Sequence, residues 1–186
     1  MKRTIVFLLF LFALFLTVFA QRKEKPPLRD RIFFGGYFSA RFGNVTNIEV
    51  APIIGYRVLP RFSVGTGIKY EYFKSKYYDY DTHIYGFQLF TRYHIVSSLE
   101  ELIPGLTMGI FIHGEYEGLS LERQYFDYLN NFPPDGRFWL SSILLGGGIS
   151  QPIGQRSSIN IMVLWNFNES VNSLYANPVI RIGFNF

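Results

Sequence analysis

In eight separate stretches of this chain, large apolar side chains fall on every second residue, and the residues between them are mostly glycine, small or polar. The stretch from Phe62 to Phe73 shows this most cleanly: Phe62, Val64, Thr66, Ile68, Tyr70 and Tyr72 oppose Ser63, Gly65, Gly67, Lys69 and Glu71. A period of two sends successive side chains to opposite faces of an extended strand. Each stretch therefore predicts a β-strand with one bulky apolar face and one narrow face. The final residues, NPVIRIGFNF, repeat the pattern, with Ile180, Ile182, Phe184 and Phe186 on one side and Arg181, Gly183 and Asn185 on the other. The 20 Phe, 13 Tyr and 17 Gly of the chain agree with an all-β reading.

The predicted strands cover 31–43, 47–59, 62–73, 83–95, a fifth carrying Leu106 to Glu115, then 137–152, 158–168 and 177–186. Pro52 interrupts the second and predicts a bulge or a local loss of pairing. Connections after the second, fourth and sixth strands read as short or compact. Those after the third (74–82), fifth (119–136) and seventh (168–176) read as longer and rich in Tyr, Asp and Asn. Such alternation predicts an up-and-down meander with both termini on the short-turn side.

Two closed barrels fit an even meander. In a water-soluble one the bulky face points inward; in a membrane barrel it points out to lipid. Gly35, Ala51, Gly55, Gly65, Gly67, Gly86, Gly109, Gly148 and Gly183 all lie on the narrow face. That face is too small for a water-facing exterior, and the bulky face would overfill an eight-stranded interior. The expectation is an all-β, eight-stranded antiparallel up-and-down transmembrane β-barrel. In lipid only closure leaves every strand paired.

The N-terminus begins with Lys2 and Arg3, runs apolar from Ile5 to Phe19 and ends on small residues before Gln21. This is the layout of a cleaved export signal. The expected organisation is a signal peptide at 1–20, a basic, proline-bearing periplasmic segment at 21–30 and the barrel at 31–186. Loss of Lys2 and Arg3 lowers the net charge from +4 to about +2, too little for a nucleic-acid footprint. The chain has no cysteine, so neither a disulfide nor a lipid-anchored cysteine is available.

Taken with the export signal, the last strand resembles the C-terminal signature by which outer-membrane proteins are recognised for insertion, carried here by Ile180, Ile182, Phe184 and Phe186. The mature chain as a whole resembles the small eight-stranded OmpX/OmpA-type outer-membrane barrels, particularly the aromatic-rich versions of Bacteroidota. The resemblance implies the outer membrane of a Gram-negative cell as location. It also implies contact with outer-membrane lipid, lipopolysaccharide and the insertion machinery, and a monomer. It leaves the activity open.

Charges of both signs on the narrow face, Arg41, Glu49, Arg57, Lys69, Glu71, Arg92, Glu115 and Arg181, with His94 and His113, predict a mixed network filling the lumen, because charges withdrawn from water need partners. Aromatics near strand ends, among them Tyr70, Tyr85, Trp139 and Trp165, fit interfacial girdles. Loop tyrosines Tyr77, Tyr78, Tyr80, Tyr125 and Tyr128, with Asp127, are candidates for surface recognition.

No catalytic residue and no cofactor is expected. His113 is followed by Gly114, Glu115 and Tyr116, and His94 by Ile95, Val96 and Ser97, neither matching the His-X-Ser-Asn stretch of outer-membrane lipid deacylases. The histidines lack metal-ligand spacing. The leading functional expectation is a non-catalytic barrel serving envelope integrity or extracellular binding through its loops. An accessory role in secretion or envelope assembly, through an extracellular or periplasmic partner, is the alternative, and a lipid-modifying enzyme the minor one.

Overall fold

The computed structural model describes residues 27–126, 135–168, 173–175 and 177–186, with the side chains of Arg41 and Glu101 outside the described residues. The expected signal peptide also lies outside them. The chain divides into a unit ending at Arg31, whose described part is one helical turn (α1, Leu28–Arg31), and a second unit, Ile32–Phe186.

The second unit consists of strands β1 (Ile32–Arg41), β2 (Val45–Leu59), β3 (Phe62–Ser75), β4 (Tyr80–Val96), β5 (Gly109–Glu122), β6 (Arg137–Pro152), β7 (Ser158–Asn166) and β8 (Val179–Asn185), with a short helix α2 (Arg123–Phe126) after β5. The strands form a closed antiparallel barrel in sequence order. Closure joins β1 to β8, from Gly35 opposite Asn185 to Phe38 opposite Ile182. Phe186 extends the seam: its N–H donates to the Phe34 carbonyl at 2.8 Å, and the Phe34 N–H donates back at 2.9 Å. The two rings stack 6.5 Å apart, which explains an aromatic at this position.

Alternation locates all eight strands and misjudges some ends. Ser75 pairs with Tyr80 and Lys74 with Asp81, so the expected loop at 74–82 shrinks to a tight connection at 76–79. The expected insertion at 119–136 begins with strand, because β5 stays paired with β6 as far as Glu122 opposite Arg137. Backbone ladders need no apolar side chain to continue, and polar residues prolong them beyond the apolar belt. On the opposite end the connection at 97–108 is long and holds a 3₁₀ turn, Leu99–Glu101, whose Ser98 hydroxyl accepts from the Glu100 N–H at 3.2 Å. The contrast of long and short connections is thus weaker than the sequence suggests. Pro52 causes a loss of pairing: Val50–Tyr70 and Ile53–Gly67 are bonded on either side of it with no slip in register.

Ile54, Ile68, Leu89, Ile112, Trp165 and Ile182 are among the large apolar side chains exposed on the outer face. Glu49, Lys69, Glu115 and Arg181 are buried in the lumen. The lumen also takes Phe33, Tyr37, Phe90 and Phe111, larger groups than the narrow face promised. Each sits opposite a glycine on the neighbouring strand: Phe33 with Gly55, Tyr37 with Gly183, Phe90 with Gly65 and Phe111 with Gly148. A Cβ on Gly183 would lie 2.6 Å from the Tyr37 ring, and one on Gly148 2.8 Å from Phe111. The small residues make room for rings.

Candidate functional site

Inward parity on β2, β3, β5 and β8 brings five charges from these four strands together in the lumen. Lys69 Nζ lies 3.0 Å from Glu49 and 2.8 Å from Glu117. Arg181 reaches Glu115 at 2.7 Å, Glu117 at 2.5 Å and Glu49 at 3.4 Å. His113 Nε2 is 3.0 Å from Glu115, and the Asn47 amide donates to Glu71 at 2.5 Å. Buried acids and bases withdrawn from water need such partners.

Of the eight charges expected there, Glu49, Lys69, Glu115 and Arg181 are joined in ion pairs, and Glu71 lies beside them on β3. Arg92 is buried elsewhere, its guanidinium 4.4 Å from the Phe111 ring centre and donating to the Tyr37 hydroxyl at 3.0 Å. Arg57 is exposed over the Phe33 ring, at 5.5 Å. Arg41 ends β1 with its side chain outside the described residues. His94 is half-buried against Phe111.

Two members of the cluster escaped the sequence reading. Glu117 bonds both cations, and its signal was available, since it continues the inward parity of His113 and Glu115. Tyr175, from the connection between β7 and β8, turns into the lumen and donates to Glu117 at 2.7 Å while accepting from Lys69. A tyrosine in an irregular segment carries no periodic signal. Above this level Ile84, Leu119, Leu121 and Phe126 are buried and cap the loop end with apolar groups.

The loop candidates divide. Tyr77 and Tyr78 are 82% and 71% exposed and pack edge to face at 4.9 Å. Tyr80 and Tyr125 instead stack on each other at 4.2 Å and flank Phe73 and Phe126, so they close the barrel mouth. Asp127 and Tyr128 lie outside the described residues.

The chemistry open to this arrangement is narrow. His113 and Glu115 form a base–acid pair, but His113 Nδ1 has no hydrogen-bond partner among the described residues, and the ring stacks on Phe90 at 5.5 Å. Among the described residues no group of three His, Cys, Asp or Glu side chains is placed to hold a metal, and no helix is long and apolar enough to cross a membrane.

No protein-family model and no curated protein matches the sequence. Among solved structures the chain is similar to the N-terminal β-barrel domain of Pseudomonas aeruginosa OprF, with a TM-score of 0.52 at 11% identity, covering 84% of this chain and 94% of that one. The likeness is one of fold. It agrees with the closed up-and-down barrel of β1 to β8.

Proposed function

We propose that the protein resides in the outer membrane as a non-catalytic barrel that supports the envelope and presents its loop end for extracellular binding. One observation carries the reading: a belt of exposed Ile, Leu, Phe and Trp surrounds a lumen of buried ion pairs, the reverse of a water-soluble barrel. The resemblance to OmpX-like barrels of Bacteroidota, the export signal and the terminal Ile180, Ile182, Phe184 and Phe186 support the same location. The side chains that fill the lumen argue against a conducting role. For binding, Tyr77 and Tyr78 supply rigid, exposed contact area on a short hairpin held by a stiff ladder.

Two measurements test this. Cysteine at Asp79 should react with an impermeant reagent on intact cells, and cysteine at Gly154 should not; the reverse result inverts the orientation. Ile68→Arg, at a position 68% exposed on the outer face, should lower folding stability in lipid vesicles by about 2–4 kcal/mol. Full tolerance of the arginine would remove the membrane reading.

A further inference from the structure

The four residues that join β3 to β4, 76–79, are all exposed, yet the backbone there is fixed. The Lys76 N–H donates to the Asn44 carbonyl at 2.9 Å, which ties the hairpin to the turn between β1 and β2. The Tyr78 N–H donates to Ser75 Oγ at 3.4 Å, and Asp79 takes a φ of 49°, a conformation that aspartate tolerates better than most residues, to return the chain into β4. Below the tip Tyr80 stacks on Tyr125 and both flank Phe126, a base of packed rings. On this support Tyr77 and Tyr78 cross at 79° with ring centres 4.9 Å apart and turn their remaining ring surface outward.

Size, charge and height narrow what this corner can hold. At 82% and 71% exposure the two side chains offer roughly 230–380 Å² of contact area, well under the ~800 Å² that each partner gives to a standard protein interface. The flanking charges, Lys74, Lys76, Asp79 and Asp81, are exposed and cancel. A highly charged ligand of either sign therefore gains nothing here. From Tyr70, in the girdle, to Ser75 is about 17 Å along β3 at ~3.3 Å per residue. At a strand tilt of roughly 40° this is about 13 Å of height, more than the ~5–8 Å polar layer on each side of a bilayer. The tip stands clear of the lipid headgroups and faces the exterior.

We propose that Tyr77 and Tyr78 bind a neutral polysaccharide outside the cell, with sugar rings laid against the exposed aromatic faces. This inference deepens the loop-end binding reading above and rests on it. The face of an aromatic ring is electron-rich, and the C–H face of a pyranose is apolar and weakly positive, so the two stack. The sugar hydroxyls then radiate from the stack toward the carboxylates and ammonium groups that flank the tip. A site of this size is weak alone. A polymer repeats its sugars and a membrane repeats the barrel, so many such contacts act together.

The test is affinity electrophoresis of the folded barrel through native gels containing a neutral β-glucan, a neutral galactomannan or, as the acidic comparison, polygalacturonate. At least one neutral polymer should slow the wild type. Tyr77→Ala/Tyr78→Ala, confirmed as folded by heat-modifiable migration, should bind that polymer about tenfold or more weakly, whereas Tyr77→Phe/Tyr78→Phe, which keeps both ring faces, should stay within about threefold of the wild type. Slowing by neither neutral polymer, slowing by polygalacturonate alone, or equal slowing of the alanine variant would overturn the site. Binding to a matrix-coated surface separates this inference from the reading beneath it. Periodate, which cleaves sugar diols, should abolish wild-type binding to the matrix. Binding that needs both tyrosines but survives periodate removes the polysaccharide and leaves the loop-end reading standing; a wild type that binds neither polymer nor matrix removes both.

Discussion

Among the described residues two arginines are buried in the lumen, and they are accommodated in different ways. Arg181, from β8, is surrounded by Glu49, Glu115 and Glu117. Arg92, nearer the turn end on β4, makes no ion pair among the described residues; it lies against Phe111 and Phe90 and donates to Tyr37. The half of the lumen toward the loops therefore depends on mutual charge. The half toward the turns depends on rings seated over Gly55, Gly65, Gly148 and Gly183, with one cation held by ring faces and a phenol. Inside a barrel too narrow for bulk water, a charge can be stabilised by opposite charges or by π-faces and a hydrogen bond. The two solutions differ in what happens when a partner is removed.

The largest contrast is expected from Arg181→Met. It leaves three buried carboxylates short of a cation and should destabilise the barrel by about 3–5 kcal/mol. Arg92→Met, which keeps most of the stem packing and strands no acid, should cost less, roughly 1–2 kcal/mol. Urea titrations of both variants in vesicles measure the difference, and equal costs would erase the distinction between the halves.

Next in size is Gly55→Ala. Its added Cβ meets the Phe33 ring first, at an expected cost of about 1–3 kcal/mol. In a Phe33→Ala background the same change should cost well under half as much. A double-mutant cycle with no coupling would show that the ring does not depend on that glycine.

The smallest stability effect is expected at the loop end, outside both halves. Tyr77→Ala/Tyr78→Ala should alter stability by less than about 0.5 kcal/mol, since both side chains are exposed. Cell-surface or matrix binding should fall sharply while heat-modifiable gel migration is retained. Unchanged binding would transfer the recognition role away from this hairpin.

The strands and their faces were legible because a two-residue period is a local property, recorded in each segment without reference to any other. Glu49, Lys69, Glu115 and Arg181 could be placed inside on that ground alone. Strand ends were less legible: Lys74, Ser75, Tyr80 and Asp81, and Leu119 to Glu122, carry polar, aromatic or broken patterns, yet remain paired because neighbouring backbones are still within reach. The candidate site was legible only as a set of inward residues. Which of them meet depends on the stagger between strands.

By itself, then, the sequence determined an eight-strand alternation, a bulky face for the outside and a narrow, charged face for the interior, since side-chain size and period act residue by residue. The tertiary structure decided what that interior became. Closure of β8 onto β1 brings Arg181 to Glu115 and Glu117, more than sixty positions away in the chain, and folds Tyr175 onto Glu117 from an irregular connection. It also decided that Arg92 would find rings instead of acids. Parity tells each side chain which way to point, but only the register of a closed sheet sets the level at which it arrives, and burial makes that level decide its partners.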